Sequence, residues 1–114
     1  MKNAIQNKSF QFAIRIVNLY KYMQTEHHEY TLAKQLLRCG TSIGANVAEA
    51  QQAQSRPDFI SKLNIALKES YETEYWLCLL FETNYIKQDA FESIVADCRE
   101  LEKLLISTIK TTKE

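Results

Sequence analysis

Two glycines and one proline in 114 residues leave few places for tight turns. A sandwich or barrel of short strands needs a turn about every ten residues, so an all-β architecture is excluded and long helices are favoured. Cysteine is scarce and odd in number. Cys39, Cys78 and Cys98 stand far apart among apolar neighbours, with no C-x-x-C pair and no histidine placed to complete a metal site. They read as reduced core thiols of a cytoplasmic protein. Long apolar runs are also missing: the longest, residues 76–81, is far short of the ~20 residues that span a bilayer, and no apolar segment follows Lys2. A membrane-spanning or secreted chain is therefore not expected. Net charge is zero, which argues against a globally basic nucleic-acid protein.

What is present is a charge asymmetry and a helical rhythm. Residues 1–57 carry +4 and residues 58–114 carry −4, and the first 25 residues hold Lys2, Lys8, Arg15 and Lys21 with no acid. With 46% hydrophobic residues the chain can bury roughly two thirds of its unfolded surface, so residues 1–114 are expected to form one domain. Phe12, Ile16, Leu19, Tyr20 and Met23 recur at spacings of three and four and predict a first helix over 10–23, capped by Ser9. Thr31 then caps a long second helix through Leu36, Ile43 and Val47 to about Gln54. Ser55-Arg56-Pro57-Asp58 has the form of a capping box with proline in the first turn and opens a third helix that runs to Asn84. Asp89 to Glu92 repeats that form before a fourth helix, in which Phe91, Ile94, Val95, Cys98, Leu101, Leu105 and Ile109 keep a near-heptad spacing. Four helices on short loops predict an all-α, antiparallel up-down-up-down bundle.

Gly40-Thr41-Ser42-Ile43-Gly44 spells G-x-S-x-G, which presents a serine nucleophile when it lies between a strand and a helix. Residues 31–39 are helix-periodic instead, and His27 and His28 precede Ser42 in a polar segment. No catalytic residue is assigned. Gly40, Gly44 and Ala48 fall at i, i+4 and i+8 and leave a stripe without bulk along helix two. Each glycine costs a helix about 1 kcal/mol relative to alanine, so the stripe suggests a neighbouring backbone at close range. The alternative is a helix break at Gly40 with Thr41 or Ser42 capping a new helix.

Helix three carries more apolar surface than one bundle face consumes. Tyr71, Tyr75, Trp76 and Leu79 point away from the stripe of Leu63, Leu67, Leu77 and Phe81. They mark an oligomer interface, or else Tyr75 and Trp76 close the end of the bundle core. Glu69, Glu72 and Glu74 cluster on the same helix, but no glutamate has a histidine three residues on, as di-metal bundle sites require. No metal or other cofactor is expected.

The segment 34–77, KQLLRCGTSIGANVAEAQQAQSRPDFISKLNIALKESYETEYWL, resembles the four-helix-bundle family of proteins encoded in intervening sequences of bacterial 23S ribosomal RNA. The family pattern R-[SC]-[GA]-T-S-I-x-A-N-[IV]-A-E-A is met from Arg38 to Ala50, and D-F-x-x-x-L-x-I-A-x-K-E-x-x-E-T-x-x-W-L from Asp58 to Leu77. The resemblance implies a homopentameric barrel of four-helix subunits without enzymatic activity. It also points to a related family, the accessory variability determinants of diversity-generating retroelements, which bind nucleic acid through a basic surface and partner a reverse transcriptase. Two functions follow as expectations. In one, Lys8, Arg15, Lys21, Lys34, Arg38 and Arg56 contact RNA phosphates in an accessory protein. In the other, a structural ring binds a polypeptide.

Overall fold

The computed structural model describes residues 3–114, and these form four helices: α1 (Ala4–His27), α2 (Thr31–Ala50), α3 (Arg56–Glu82) and α4 (Gln88–Lys113). Lys2 lies outside the described residues. No strand occurs among them. Each helix packs on the next in an up-down bundle, and α4 returns beside α1 along the most sparsely packed of the four seams. The core is one cluster, with Phe12, Ile16 and Met23 of α1, Leu36, Ile43 and Val47 of α2, Leu63, Leu77 and Leu80 of α3, and Leu101 and Leu105 of α4 removed from water.

The helix ends correct three of the capping assignments. Helix α1 begins five residues before Ser9, because Ile5 extends the buried stripe of Phe12, Ile16 and Met23 backwards and Asn3 supplies the cap, accepting from the Gln6 N–H at 2.9 Å. Ser9 is instead a buried small residue of the helix face. At the other end His28 takes a left-handed φ of 52°. Its N–H donates to Gln24 O at 3.2 Å, the bond of a left-handed helix closure, and the Glu29 N–H donates to Met23 O at 3.1 Å. Thr31 does not cap α2. Tyr30 before it is already helical, so the longer Glu29 side chain reaches over and accepts from the N–H groups of Leu32 at 3.2 Å and Ala33 at 3.0 Å. Helix α2 ends at Ala50, short of Gln54.

The third boundary has the expected form: Ser55 Oγ accepts from the Asp58 N–H at 3.2 Å, and the Asp58 carboxylate accepts from the Gln54 N–H at 3.2 Å. Asp89 makes no capping box, because the N-cap of α4 is Lys87 and Asp89 accepts only from the Ala90 N–H beside it, at 2.8 Å. Asn84, at φ 69°, closes α3, with the Tyr85 N–H donating to Leu80 O at 2.9 Å. Among the described residues the left-handed turn positions are held by His28 and Asn84, and by neither glycine. That frees both glycines for packing.

Candidate interaction surfaces

Helix α2 is continuous through Gly40 and Gly44, so the helix-break alternative is removed. A Cβ placed on Gly44 would lie 3.2 Å from Ser9 O and 3.4 Å from Ser9 C, so here the α1 backbone itself approaches. At Gly40 the neighbour is a side chain: a Cβ would lie 2.7–2.9 Å from Cγ1, Cγ2 and Cδ1 of Ile16. Ala48 is exposed and floors the outer end of an α1/α2 trough that also holds Phe10, Ala13, Gly44 and Ala45, about 340 Å³ in volume. Ser42 lies mid-helix, where Oγ accepts from Asn46 Nδ2 at 3.1 Å. His27 packs edge-on against Tyr22 and Tyr85 at the far end of α1, with centroids 5.4 and 5.3 Å away. The G-x-S-x-G spelling therefore has none of the strand-turn-helix context an elbow serine needs.

The basic candidates do not form one patch. Lys8 is ion-paired with Glu100, and Arg15 reaches Asp97 at 2.6 Å and Ser93 Oγ at 3.1 Å, so both staple α1 to α4 across the sparse seam. Arg38 holds Glu72 at 2.6 Å and stands 3.7 Å from Glu69, stapling α2 to α3. Glu72 also accepts from Trp76 Nε1 at 3.1 Å. That bond and the Arg38 guanidinium hold its carboxyl below the usual range. Lys21, Lys34 and Arg56 have no carboxylate partner within the chain among the described residues. Lys21 and Lys34 share one end of the bundle. Arg56 lies beyond the far end of α2, more than about 24 Å from Lys34 at 1.5 Å per residue.

The aromatic candidates also divide. Tyr71 and Tyr75 are 50% and 60% exposed and flank a shallow α3/α4 groove with Ile106, which is 45% exposed. Trp76 is half-buried, packed on the core, stacked edge-on with Tyr75 at 5.3 Å and fixed by its bond to Glu72. Leu79 is half-buried.

One cluster escaped the sequence reading. Glu102 is 8% exposed, beneath the α3/α4 groove, and burial followed by the neighbouring Glu74 pushes its carboxyl up to about 7. Glu74 is held below the usual range by the hydrogen bond from Glu102 and by Arg99, whose Nε stands 3.1 Å away. The Cys98 thiol donates to Ser70 O at 3.3 Å and lies 3.8 Å from Glu102 Oε2. Burial raises this thiol above its ordinary value, and raises Cys39 to about 11. Both are protonated core groups at neutral pH. Glu102 follows Cys98 by one helical turn on an apolar stripe, and that placement was the available signal. All three cysteines are free. No group of three metal-ligating side chains occurs among the described residues, and none of their helices is long and apolar enough to cross a membrane.

The arrangement defines a four-helix bundle with a closed core, paired inter-helix charges and apolar side chains exposed on two sides. The family model of the 23S rRNA-intervening sequence proteins matches residues 1–107, and the chain belongs to that family. A crystal structure at 1.70 Å of a protein of unknown function from the S23 ribosomal protein family, from Bacteroides thetaiotaomicron VPI-5482, is similar throughout. It is 61% identical, the match covers 94% of this chain and 99% of that one, and the TM-score is 0.93. No curated protein matches the chain.

Proposed function

We propose that this chain is a non-enzymatic cytoplasmic assembly module that forms a closed homo-oligomeric ring, a pentamer in keeping with its family resemblance, and acts as a scaffold. The observation that carries this reading is the placement of large apolar side chains outside an already closed core. Phe10 (47% exposed) and Ile14 (43%) stand on α1, Tyr71 and Tyr75 on α3, and Ile106 on α4. Apolar surface of this kind, on more than one side of a small bundle, is characteristic of protein contacts. Light scattering at micromolar concentration is expected to give a multiple of the 13.3 kDa chain mass, near five. A mass of one chain rejects the reading.

A nucleic-acid role for the assembled ring is the second reading, favoured by the unpaired charges of Lys21, Lys34 and Arg56. Lys8, Arg15 and Arg38 contribute less to it, because each already faces a carboxylate. A ring would repeat the free cations and multiply a weak phosphate contact by avidity. Titration of labelled structured RNA at about 50 and 200 mM salt tests it, with a log-log slope near −0.7 per single-strand phosphate neutralised. Absence of binding at the lower salt leaves the scaffold with a polypeptide partner.

A further inference from the structure

We propose that the occupant of the α1/α2 trough is a second copy of this chain, which presents its α3/α4 face, Tyr71 and Tyr75 foremost, in a head-to-tail contact. The inference rests on the oligomeric reading above and deepens it by naming the two faces that meet.

Four observations carry it. Because each helix packs on its neighbour in chain order, the α1/α2 seam and the α3/α4 seam lie on opposite sides of the bundle. Two different faces set opposite one another make a heterologous contact, the kind that closes rings. The faces also differ in relief. The trough has a floor of Ala13, Gly44, Ala45 and Ala48 beside Phe10, while the opposite side carries Tyr71 and Tyr75 one turn apart, with Ile106 across the groove. Area suffices: a long side of 45 by about 20 Å offers on the order of 900 Å² in projection. A stable interface uses about 800 Å² per partner.

Charge then fixes the direction. Lys21 lies eleven residues, three turns, beyond Phe10, and Lys34 eleven residues before Ala45, so both flank the trough at the end where α1 finishes and α2 begins. On the other face Glu82 follows Tyr71 by eleven residues and Glu92 precedes Arg99 by seven, so both flank the α3/α4 groove at that same end. None of the four forms an ion pair within the chain among the described residues. Lys34 sits in the first turn of α2 and Glu82 in the last turn of α3, the helix ends whose dipoles oppose those charges. In a ring whose axis runs along the bundles, neighbours stand side by side in the same direction. Lys21 and Lys34 of one chain then meet Glu82 and Glu92 of the next, which takes both lysines out of the phosphate contact of the second functional reading and leaves Arg56 to it.

The test uses two full-length variants mixed. Ala45→Arg fills the trough and leaves the tyrosine face intact, while Tyr71→Asp/Tyr75→Asp spoils the tyrosine face and leaves the trough intact. All three positions are exposed, so each variant should keep the wild-type helical spectrum. Ala48→Arg and Ile106→Asp serve as replacements for a variant that does not. The wild type is expected at a multiple of the chain mass, each variant alone at the mass of one chain, and the equimolar mixture at the mass of two, because one competent trough and one competent tyrosine face remain. Variants that keep the wild-type mass, or a mixture that stays at one chain mass, overturn these faces while the oligomeric reading stands. A wild-type chain at the mass of one chain overturns both. For the direction, Lys21→Glu/Lys34→Glu should dissociate the assembly and adding Glu82→Lys/Glu92→Lys should restore it. Dissociation without restoration overturns the side-by-side arrangement.

Discussion

Gly40→Ala, the mildest substitution available at that position, isolates the α1–α2 packing in one methyl group. The new Cβ would lie 2.7, 2.8 and 2.9 Å from Cγ1, Cγ2 and Cδ1 of Ile16, closer than carbon atoms tolerate. Ile16 is fully buried, and its β-branch holds one strongly preferred rotamer in a helix, so it cannot swing aside. The two helices must part instead, at a cost of about 1–3 kcal/mol for an overpacked core. Replacing glycine by alanine inside a helix returns about 1 kcal/mol. The net expectation is a destabilisation of up to about 2 kcal/mol, with a fall in Tm of about 4 °C for each kcal/mol in a domain of this size. A double-mutant cycle identifies the cause. Ile16→Ala alone should cost about 2–5 kcal/mol through the cavity it leaves. With Gly40→Ala present, the added methyl occupies part of that cavity, so the double variant should exceed the sum of the singles in stability by at least about 1 kcal/mol. Thermal and urea melts followed by circular dichroism at one protein concentration give all four corners, and the fixed concentration matters because assembly shifts apparent stability. A Gly40→Ala variant that melts above wild type, or an additive cycle, would refute the packing account.

Gly44→Ala should stay within about 1 kcal/mol of wild type, because the Ser9 carbonyl at 3.2 Å needs to yield only slightly and the helix propensity gain offsets it. Ser42→Ala should change a melt by less than about 0.5 kcal/mol, since Ser42 Oγ serves only an Asn46 bond on the helix surface; a large loss would reopen a role for this serine. For Glu102, the folded carboxyl is raised to about 7 from an ordinary value of 4.5, so between these values the folded chain holds a proton that the unfolded chain releases. Its contribution is complete below pH 4.5 and is lost as pH rises through about 7. Glu74, held low, acts oppositely and loses its contribution under acid conditions. Tm should therefore fall by a few degrees from pH 5 to pH 8, and Glu102→Gln should flatten that slope and melt higher than wild type at pH 8. A wild-type Tm that rises over this interval would refute the assignment.

The number of helices, their order and most of their buried faces were legible in the sequence, because apolar spacing of three and four is a local property that survives without knowledge of neighbours. The Ser55 cap was legible for the same reason: its partner, the Asp58 N–H, is three residues away. Where a boundary depended on competition, local reading failed. Ser9 is a good cap residue by type, yet the core claims its face and Asn3 caps instead. Thr31 is displaced by Glu29, whose reach depends on the loop that His28 sets.

The glycine spacing showed that helix two lacks bulk, but only the tertiary structure decided that Gly44 admits the backbone at Ser9 while Gly40 admits the branches of Ile16. The basic residues were countable from the sequence. Whether each charge is free or paired was decided by residues 82 and 92 positions away in the chain, as α4 brings Asp97 to Arg15 and Glu100 to Lys8. The Glu74–Glu102 pair was invisible for a similar reason. A carboxyl shifts when burial strips its water and a second carboxyl shares its space, and both conditions arise only once α3 and α4 pack together.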